Sequence, residues 1–289
     1  MSKAPAPPKL TAPPTMKAPP SAAMSARSAY IPSNKTFTIA DWHGSNEGEK
    51  IIVYGRSGIG KTTLASMTPD PVWIGIDDGG RKIRNPVTGK TLRYIPGIDT
   101  FDDVRSALRS NVFDECKTIV VDTITYIQAL AQEATFRRVK LENGGWAENI
   151  EDYGFHKGYR HWYDTMRYLL DEFDVHVRAG RNIVLLAQRA TIKRANPGGE
   201  DFICEAPDLY NDRGVSILDA YIAWADHVLR VDHANVIVNK QKKAGSANIR
   251  AVYVHPEIHF EAKSRTIPTE YAVVQYAEPK DDSIWRLIF

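Results

Sequence analysis

Four apolar runs stand out along the chain, each bounded by polar or turn-forming residues. They are Ile51-Ile52-Val53-Tyr54, Val72-Trp73-Ile74-Gly75-Ile76, Thr118-Ile119-Val120-Val121 and Ile183-Val184-Leu185-Leu186-Ala187. Runs this short and this continuously apolar read as strands covered on both faces, the pattern of a parallel sheet. Helical spacing lies between them. Thr100 caps a helix running through Arg109, with Asp102 and Asp103 in its first turn. Residues 124–140 are helical in pattern, and after a break rich in glycine and aromatics from Asn143 to Phe155 a long helix places Trp162, Met166, Leu169, Leu170, Phe173 and Val177 on one face. Residues 81–99 read as a hairpin or loop around Asn85-Pro86 and Thr88-Gly89. Beyond a helix over Val215 to Ala225 and a strand over Asp226 to Val231, the pattern alternates in segments starting at Val236, Ile249 and Glu257. Antiparallel strands are expected there. The predicted fold is α/β: a mainly parallel central sheet, helices on both faces and C-terminal antiparallel strands.

The first 34 residues depart from this pattern. They are rich in Ala, Pro, Ser and Lys, with paired prolines at Pro7-Pro8, Pro13-Pro14 and Pro19-Pro20, and cannot bury enough apolar surface to order themselves. A disordered basic tether is expected over 1–34, then a linker over 35–47, a core over 48–276 and a C-terminal tail over 277–289. That tail is readable either as a docking tip or as a last strand. Charge sharpens the division. Lys3, Lys9, Lys17, Arg27 and Lys35 precede the first acid, Asp41, and removing those five from the net +2 leaves the rest of the chain at −3. Nucleic acid would therefore meet local patches, the tail, or patches aligned by assembly. Cys116 and Cys204 lack metal-ligand spacing, and neither an export signal nor a membrane span is read, so a reduced cytoplasmic protein is expected.

The chemistry concentrates after the first strand, in Gly55-Arg56-Ser57-Gly58-Ile59-Gly60-Lys61-Thr62-Thr63. Gly-x4-Gly-Lys-Thr between a strand and a helix is a phosphate-binding loop: glycines allow backbone N–H groups to turn inward around a polyphosphate. Lys61 then reaches the β- and γ-phosphates of ATP, and the Thr62 hydroxyl holds Mg²⁺. The helix from Thr62 is expected to end near Pro69-Asp70-Pro71. Asp122, closing the third apolar run, is the expected second Mg²⁺ residue. Asp77 or Asp78, at the end of the second run, could align the attacking water. Gln188 ends the fourth run at a place equivalent to Asp122, as a γ-phosphate sensor would. The stretch from Arg189 to Arg213 reads as a long functional loop opening with Arg189, Lys193 and Arg194.

With the phosphate loop, Asp122, Gln188 and an Asn239-Lys240 strand in this order, the chain resembles the RecA-type recombinase core over about residues 48–262. It is most similar to the phage-encoded, shortened RecA-like ATPases grouped as single-strand annealing proteins, the Sak-four group. The resemblance implies an ATPase in the host-cell cytoplasm, bound to ATP and Mg²⁺ at subunit interfaces and active in DNA recombination or annealing. Lys61, Asp78, Asp122 and Gln188 become its catalytic set; the shorter Asp78 stands where the family carries a Glu, which implies slow, DNA-stimulated turnover. Lys240 resembles the lysine that RecA-like filaments present to ATP in the adjacent subunit, although Val238 replaces the first of the two lysines usual there. Phe37 and Ala40 match a Phe-x-x-Ala docking pattern and imply a homo-oligomer, ring or filament. Single-stranded DNA is expected between loops 143–158 and 189–213, contacting Arg189, Lys193 and Arg194 and stacking on Trp146 or Phe155. A single-strand-binding or other replication protein is a further expected partner. Two alternatives share the core: a hexameric helicase or packaging motor, and a nucleotide-gated binding module with little hydrolysis.

Overall fold

In the computed structural model the described residues are 39, 46–75, 78–212, 214–234, 237–238, 244–245 and 249–289. The tail, Phe37, Ala40, Asp77, Asn239, Lys240, Lys242, Lys243 and the side chain of Asp78 lie outside them. Ser45–Phe289 form one unit. Its strands are β1 (Lys50–Gly55), β2 (Pro71–Gly75), β3 (Arg93–Tyr94), β4 (Thr118–Asp122), β5 (Asn182–Arg194), β6 (Phe202–Pro207), β7 (Asn211–Asp212), β8 (Val215–Ser216), β9 (His227–His233), β10 (Ile237–Val238), β11 (Ala244–Gly245), β12 (Arg250–Tyr253), β13 (Lys263–Ser264) and β14 (Val273–Tyr276). Its helices are α1 (Lys61–Ala65), α2 (Phe101–Arg109), α3 (Ile124–Arg138), α4 (Lys157–Arg178), α5 (Ile217–Trp224) and α6 (Ser283–Ile288).

The main sheet runs β14-β12-β9-β1-β5-β4-β2-β3, and the stretch from β9 to β3 is parallel throughout. The apolar runs therefore become central strands, with β1 and β4 buried along nearly their whole length. Alternation then divides each strand between two cores. Ile52, Tyr54, Ile119, Val121, Ile183 and Leu185 face α2 to α5. Ile51, Val53, Val120, Val184 and Leu186 face the layer that contains α1 and α6. The predicted stripe of α4 lies wholly in the first core. At α2 the Thr100 hydroxyl accepts the Asp103 N–H while Asp103 returns a bond to the Thr100 N–H, a reciprocal cap that fixes where the helix starts. The antiparallel strands β12 and β14 extend the sheet beyond β9.

Two regions differ from expectation. Residues 189–213 do not form a long open loop. β5 continues past Gln188 to Arg194 and pairs antiparallel with β6, from Arg189 opposite Pro207 to Arg194 opposite Phe202. The reason lies in pairing: Ala190 and Ile192 alternate with polar residues, and β6 supplies a partner that no local pattern names. At the other end of the chain, residues 283–288 form helix α6, with Ile284 and Trp285 buried and the Trp285 indole N–H donating to Leu64 O at 2.7 Å. The helix carrying Lys61 is thus packed by the last helix. Trp285→Ala is expected to lower unfolding free energy in denaturant titrations by about 3 kcal/mol, and Trp285→Phe by about 1 kcal/mol.

Beneath α2 a buried histidine gives a pH signature. His176 Nε2–H donates to Leu108 O at 2.8 Å and its Nδ1 faces Arg181 Nη1 at 3.3 Å, the arrangement of a neutral ring. Burial lowers its pKa, and the Arg181 charge acts in the same direction, against the Leu108 bond and Asp114. Since the unfolded chain then binds the proton more tightly, this residue's contribution is present above about pH 6.5 and is lost as pH falls below it, with a slope of up to about 1.4 kcal/mol per pH unit. Stability profiles between about pH 7 and pH 5 should be shallower for His176→Gln than for the parent.

Candidate functional site

Measured along β5, strands β1 and β4 end within two residues of one another: Gly55 lies opposite Gln188, and Asp122 opposite Leu186. This alignment brings the sequence-predicted residues together at the C-terminal edge of the sheet, where α/β folds bind ligands. The turn leaving β1 depends on glycine. Gly60 has φ 107°, which L-residues avoid, and a Cβ there would lie 2.7 Å from Arg250 Nη1. At Gly55 a Cβ would meet Val231 O at 2.4 Å, so β1 and β9 approach closely only because no side chain intervenes.

Lys61 opens α1 and is only 6% exposed. Its Nζ donates to Gly55 O at 2.9 Å, Arg56 O at 3.0 Å and Gln188 Oε1 at 3.2 Å. The ammonium therefore sits inside the curl of the loop with Arg56, Ser57 and Gly58 exposed above it and Ile59 anchoring the loop in the core. Gln188 is the expected neighbour, placed there by β5 running between β1 and β4. Its backbone N–H is held by Thr125 Oγ1 at 3.1 Å, and its carbonyl accepts from Asp208 N at 2.8 Å.

The two residues expected to hold the metal converge as well. Thr62 Oγ1 donates to Asp122 Oδ2 at 2.8 Å, and Asp122 is buried. A hydroxyl beside a buried carboxylate, on the residue next to a buried lysine, fits Mg²⁺ carried by a nucleotide: Thr62 would ligate it directly and Asp122 would hold it through water. When bound, the ion would offset charge on the phosphates. Beyond Asp122 a cavity of about 440 Å³ is bounded by Trp73, Gly75, Arg81, Tyr94, Asp99 and Asp122. Asp78 begins a short 3-10 turn just after β2, whose Gly75 lies opposite Asp122, so the backbone brings this acidic stretch to the same edge.

The residues expected to contact DNA are in different settings. Trp146 is 54% and Phe155 96% exposed, and Lys140 lies over the Trp146 ring at 5.2 Å. Arg189, Lys193 and Arg194 are not an open cationic loop. Arg189 pairs with Glu205 at 2.6 Å and Asp232 at 3.4 Å, Lys193 with Asp201 at 2.9 Å, and Arg194 with Asp219 and Glu261 at 2.9 and 2.8 Å. Asp201 and Glu205 belong to the acidic second half of the same stretch, but Asp219, Asp232 and Glu261 come from α5, β9 and the segment before β13, and sequence reading did not connect them with it. It also missed Arg230, buried on β9, which bonds Glu205 and Asp232 beneath Tyr54. The Tyr54 hydroxyl donates to Glu261 O at 2.6 Å, and burial pushes its pKa up against the pull of Arg230. An Arg and an Asp inside the apolar run His227 to His233 are the signal that could have found this network.

A family model described as an AAA domain, AAA_24, matches residues 47–266. The chain belongs to this AAA domain family. Its fold class is α/β, with a mainly parallel central sheet, helices on both faces and antiparallel strands beyond β9. Among solved structures, the flagellar accessory protein FlaH from Methanocaldococcus jannaschii is 12% identical, with 80% of this chain and 90% of that one covered and a TM-score of 0.38. A KaiC-like protein from Pyrococcus horikoshii OT3 is 15% identical with the same coverage and TM-score. No curated protein matches the chain. Among the described residues of this AAA domain no helix is long and apolar enough to cross a membrane, and no cluster of His, Cys, Asp and Glu stands ready for a metal.

Thr62→Ala and Asp122→Asn should each weaken binding of a fluorescent ATP analogue in the presence of Mg²⁺ by roughly 10- to 100-fold. Binding measured with chelator should change much less, and the double variant should lose less than the sum, since both act on one ion.

Proposed function

We propose that this AAA domain is an ATP-dependent single-stranded DNA-binding protein that acts in recombination or strand annealing and hydrolyses ATP slowly. The observation that carries the reading is the contact from Lys61 Nζ to Gln188 Oε1, because Gln188 is the last residue of β5 before the hairpin arm begins at Arg189. A γ-phosphate drawing on Lys61 would compete for the proton that Gln188 now accepts. Any resulting shift of Gln188 would pass along the chain to Arg189 and its ion pairs with Glu205 and Asp232. Nucleotide state would thereby reach the β5–β6 arm. The exposed rings of Trp146 and Phe155 offer stacking platforms for unpaired bases. Asp78 in place of a longer acid supports slow turnover. Phe37, Ala40 and Lys240 are assigned to contacts between subunits of a ring or filament, and the basic tail of residues 1–34 to DNA or a single-strand-binding protein. In a phage setting the site of action would be the host cytoplasm.

The test is binding of labelled single- and double-stranded DNA by the parent, Lys61→Ala and Gln188→Ala, with and without ATP and Mg²⁺, alongside phosphate release. ATP should strengthen single-strand binding by the parent about tenfold. Lys61→Ala should abolish that gain with ATP binding, whereas Gln188→Ala should abolish it while ATP still binds. Rapid turnover with unwinding would select a motor instead; ATP binding without turnover would select a gated module; absence of DNA binding in every state would overturn the reading.

A further inference from the structure

The segment from Arg81 to Arg93 contains five cations, Arg81, Lys82, Arg84, Lys90 and Arg93, and no acid, within a core whose formal charge is slightly negative. It is an ordered hairpin. Arg84 and Thr91 form an antiparallel bridge, Asn85 N donates to Lys90 O at 2.9 Å, and Asn85 Oδ1 accepts the N–H groups of Val87 and Thr88, both at 2.9 Å. Asn85 Nδ2 donates to Ser66 O, which ties the hairpin to the end of α1. The hairpin leads into β3, the edge strand of the main sheet, and shares the cavity beside Asp122 through Arg81 and Tyr94.

Its charges are treated differently from those of the β5–β6 arm. There each arginine is met by carboxylates from neighbouring elements. On the hairpin Arg93 pairs with Asp70 at 2.6 Å, while Lys82, Arg84 and Lys90 are exposed with no carboxylate in ion-pair distance among the described residues. Tyr94, at its base, is 62% exposed. Exposed cations without an internal carboxylate partner attract a polyanion, and a flanking exposed ring adds stacking on unpaired bases. The hairpin has little apolar surface beyond Val87 with which to enter a lipid layer.

We infer that the 81–93 hairpin is a nucleic-acid contact surface, with Lys82, Arg84 and Lys90 on the phosphates of a single strand and Tyr94 stacking on a base. This rests on the DNA-binding reading above and relocates the cationic part of that site from Arg189, Lys193 and Arg194, on the central strand β5, to the β3 edge of the sheet. A strand held here would lie beside Asp122, so its presence could be felt at the nucleotide site without passing through the β5–β6 arm.

The experiment is fluorescence anisotropy of labelled oligo-dT, and of a labelled duplex of the same length, with the full chain, titrated over about 0.05 to 0.2 M salt, for the parent, the Lys82→Ala/Arg84→Ala/Lys90→Ala triple variant and Tyr94→Ala. Losing three phosphate contacts should reduce the slope of log affinity against log salt by about 2, with affinity at low salt falling at least about tenfold. Tyr94→Ala should lose about tenfold with the slope unchanged. Binding of a fluorescent ATP analogue should be unaltered in the triple variant, which confirms an intact fold. Parent-like affinity and slope in the triple variant would overturn the assignment while leaving DNA binding to other residues. Failure of the parent to bind oligo-dT would overturn both readings, and a loss confined to duplex DNA would overturn the single-strand assignment.

Discussion

A buried ammonium is expensive unless it is surrounded by acceptors, and the placement of Lys61 satisfies that requirement with two carbonyls of its own loop and one side chain from the next strand. Each acceptor depends on larger structure. The carbonyls of Gly55 and Arg56 turn toward Nζ because β1 ends at a glycine pressed against Val231, and Gln188 reaches it because β5 runs directly beside β1 in register. Shift that register by one residue and Gln188 would point to the other face. The parallel sheet, its two cores and the helix packing therefore converge on keeping one charge in one place.

The candidate nucleotide site was legible in sequence because its parts are local. A strand, a glycine turn and a lysine are contiguous from Ile51 to Thr63, and Asp122 and Gln188 each close an apolar run. Helices α2 and α4 were legible for the same reason, through a cap at Thr100 and a stripe from Trp162 to Val177. What escaped was whatever depends on pairing between distant segments. The arm from Arg189 to Arg194 reads as loop until β6 is placed opposite it, and its arginines read as free until Glu205 on β6 is joined by Asp219, Asp232 and Glu261 from three other parts of the chain. The terminal residues offered Ile284 and Trp285 without showing which surface they cover. Asp77, Asp78, Lys240, Phe37 and Ala40 remain sequence assignments.

Charge in this molecule thus falls into two kinds. On the β5–β6 side it is structural: Arg189, Arg194 and Arg230 hold four carboxylates in a lattice that joins β1, β5, β6, β9 and α5. Such a lattice resists rearrangement, since removing one member leaves its partners half-buried and unmatched. On the β3 edge Lys82, Arg84 and Lys90 face water with no carboxylate in ion-pair distance among the described residues. A count of lysines and arginines cannot separate these two populations; the positions of the acids do.

The bond from Trp285 to Leu64 spans 221 positions of sequence. During synthesis at about 5–20 residues per second, the helix that carries Lys61 leaves the ribosome on the order of 10–40 s before the helix that packs it. Through that interval the phosphate loop exists as sequence without its full support. Nucleotide binding in the cell would then begin only after α6 has been made and has packed on α1.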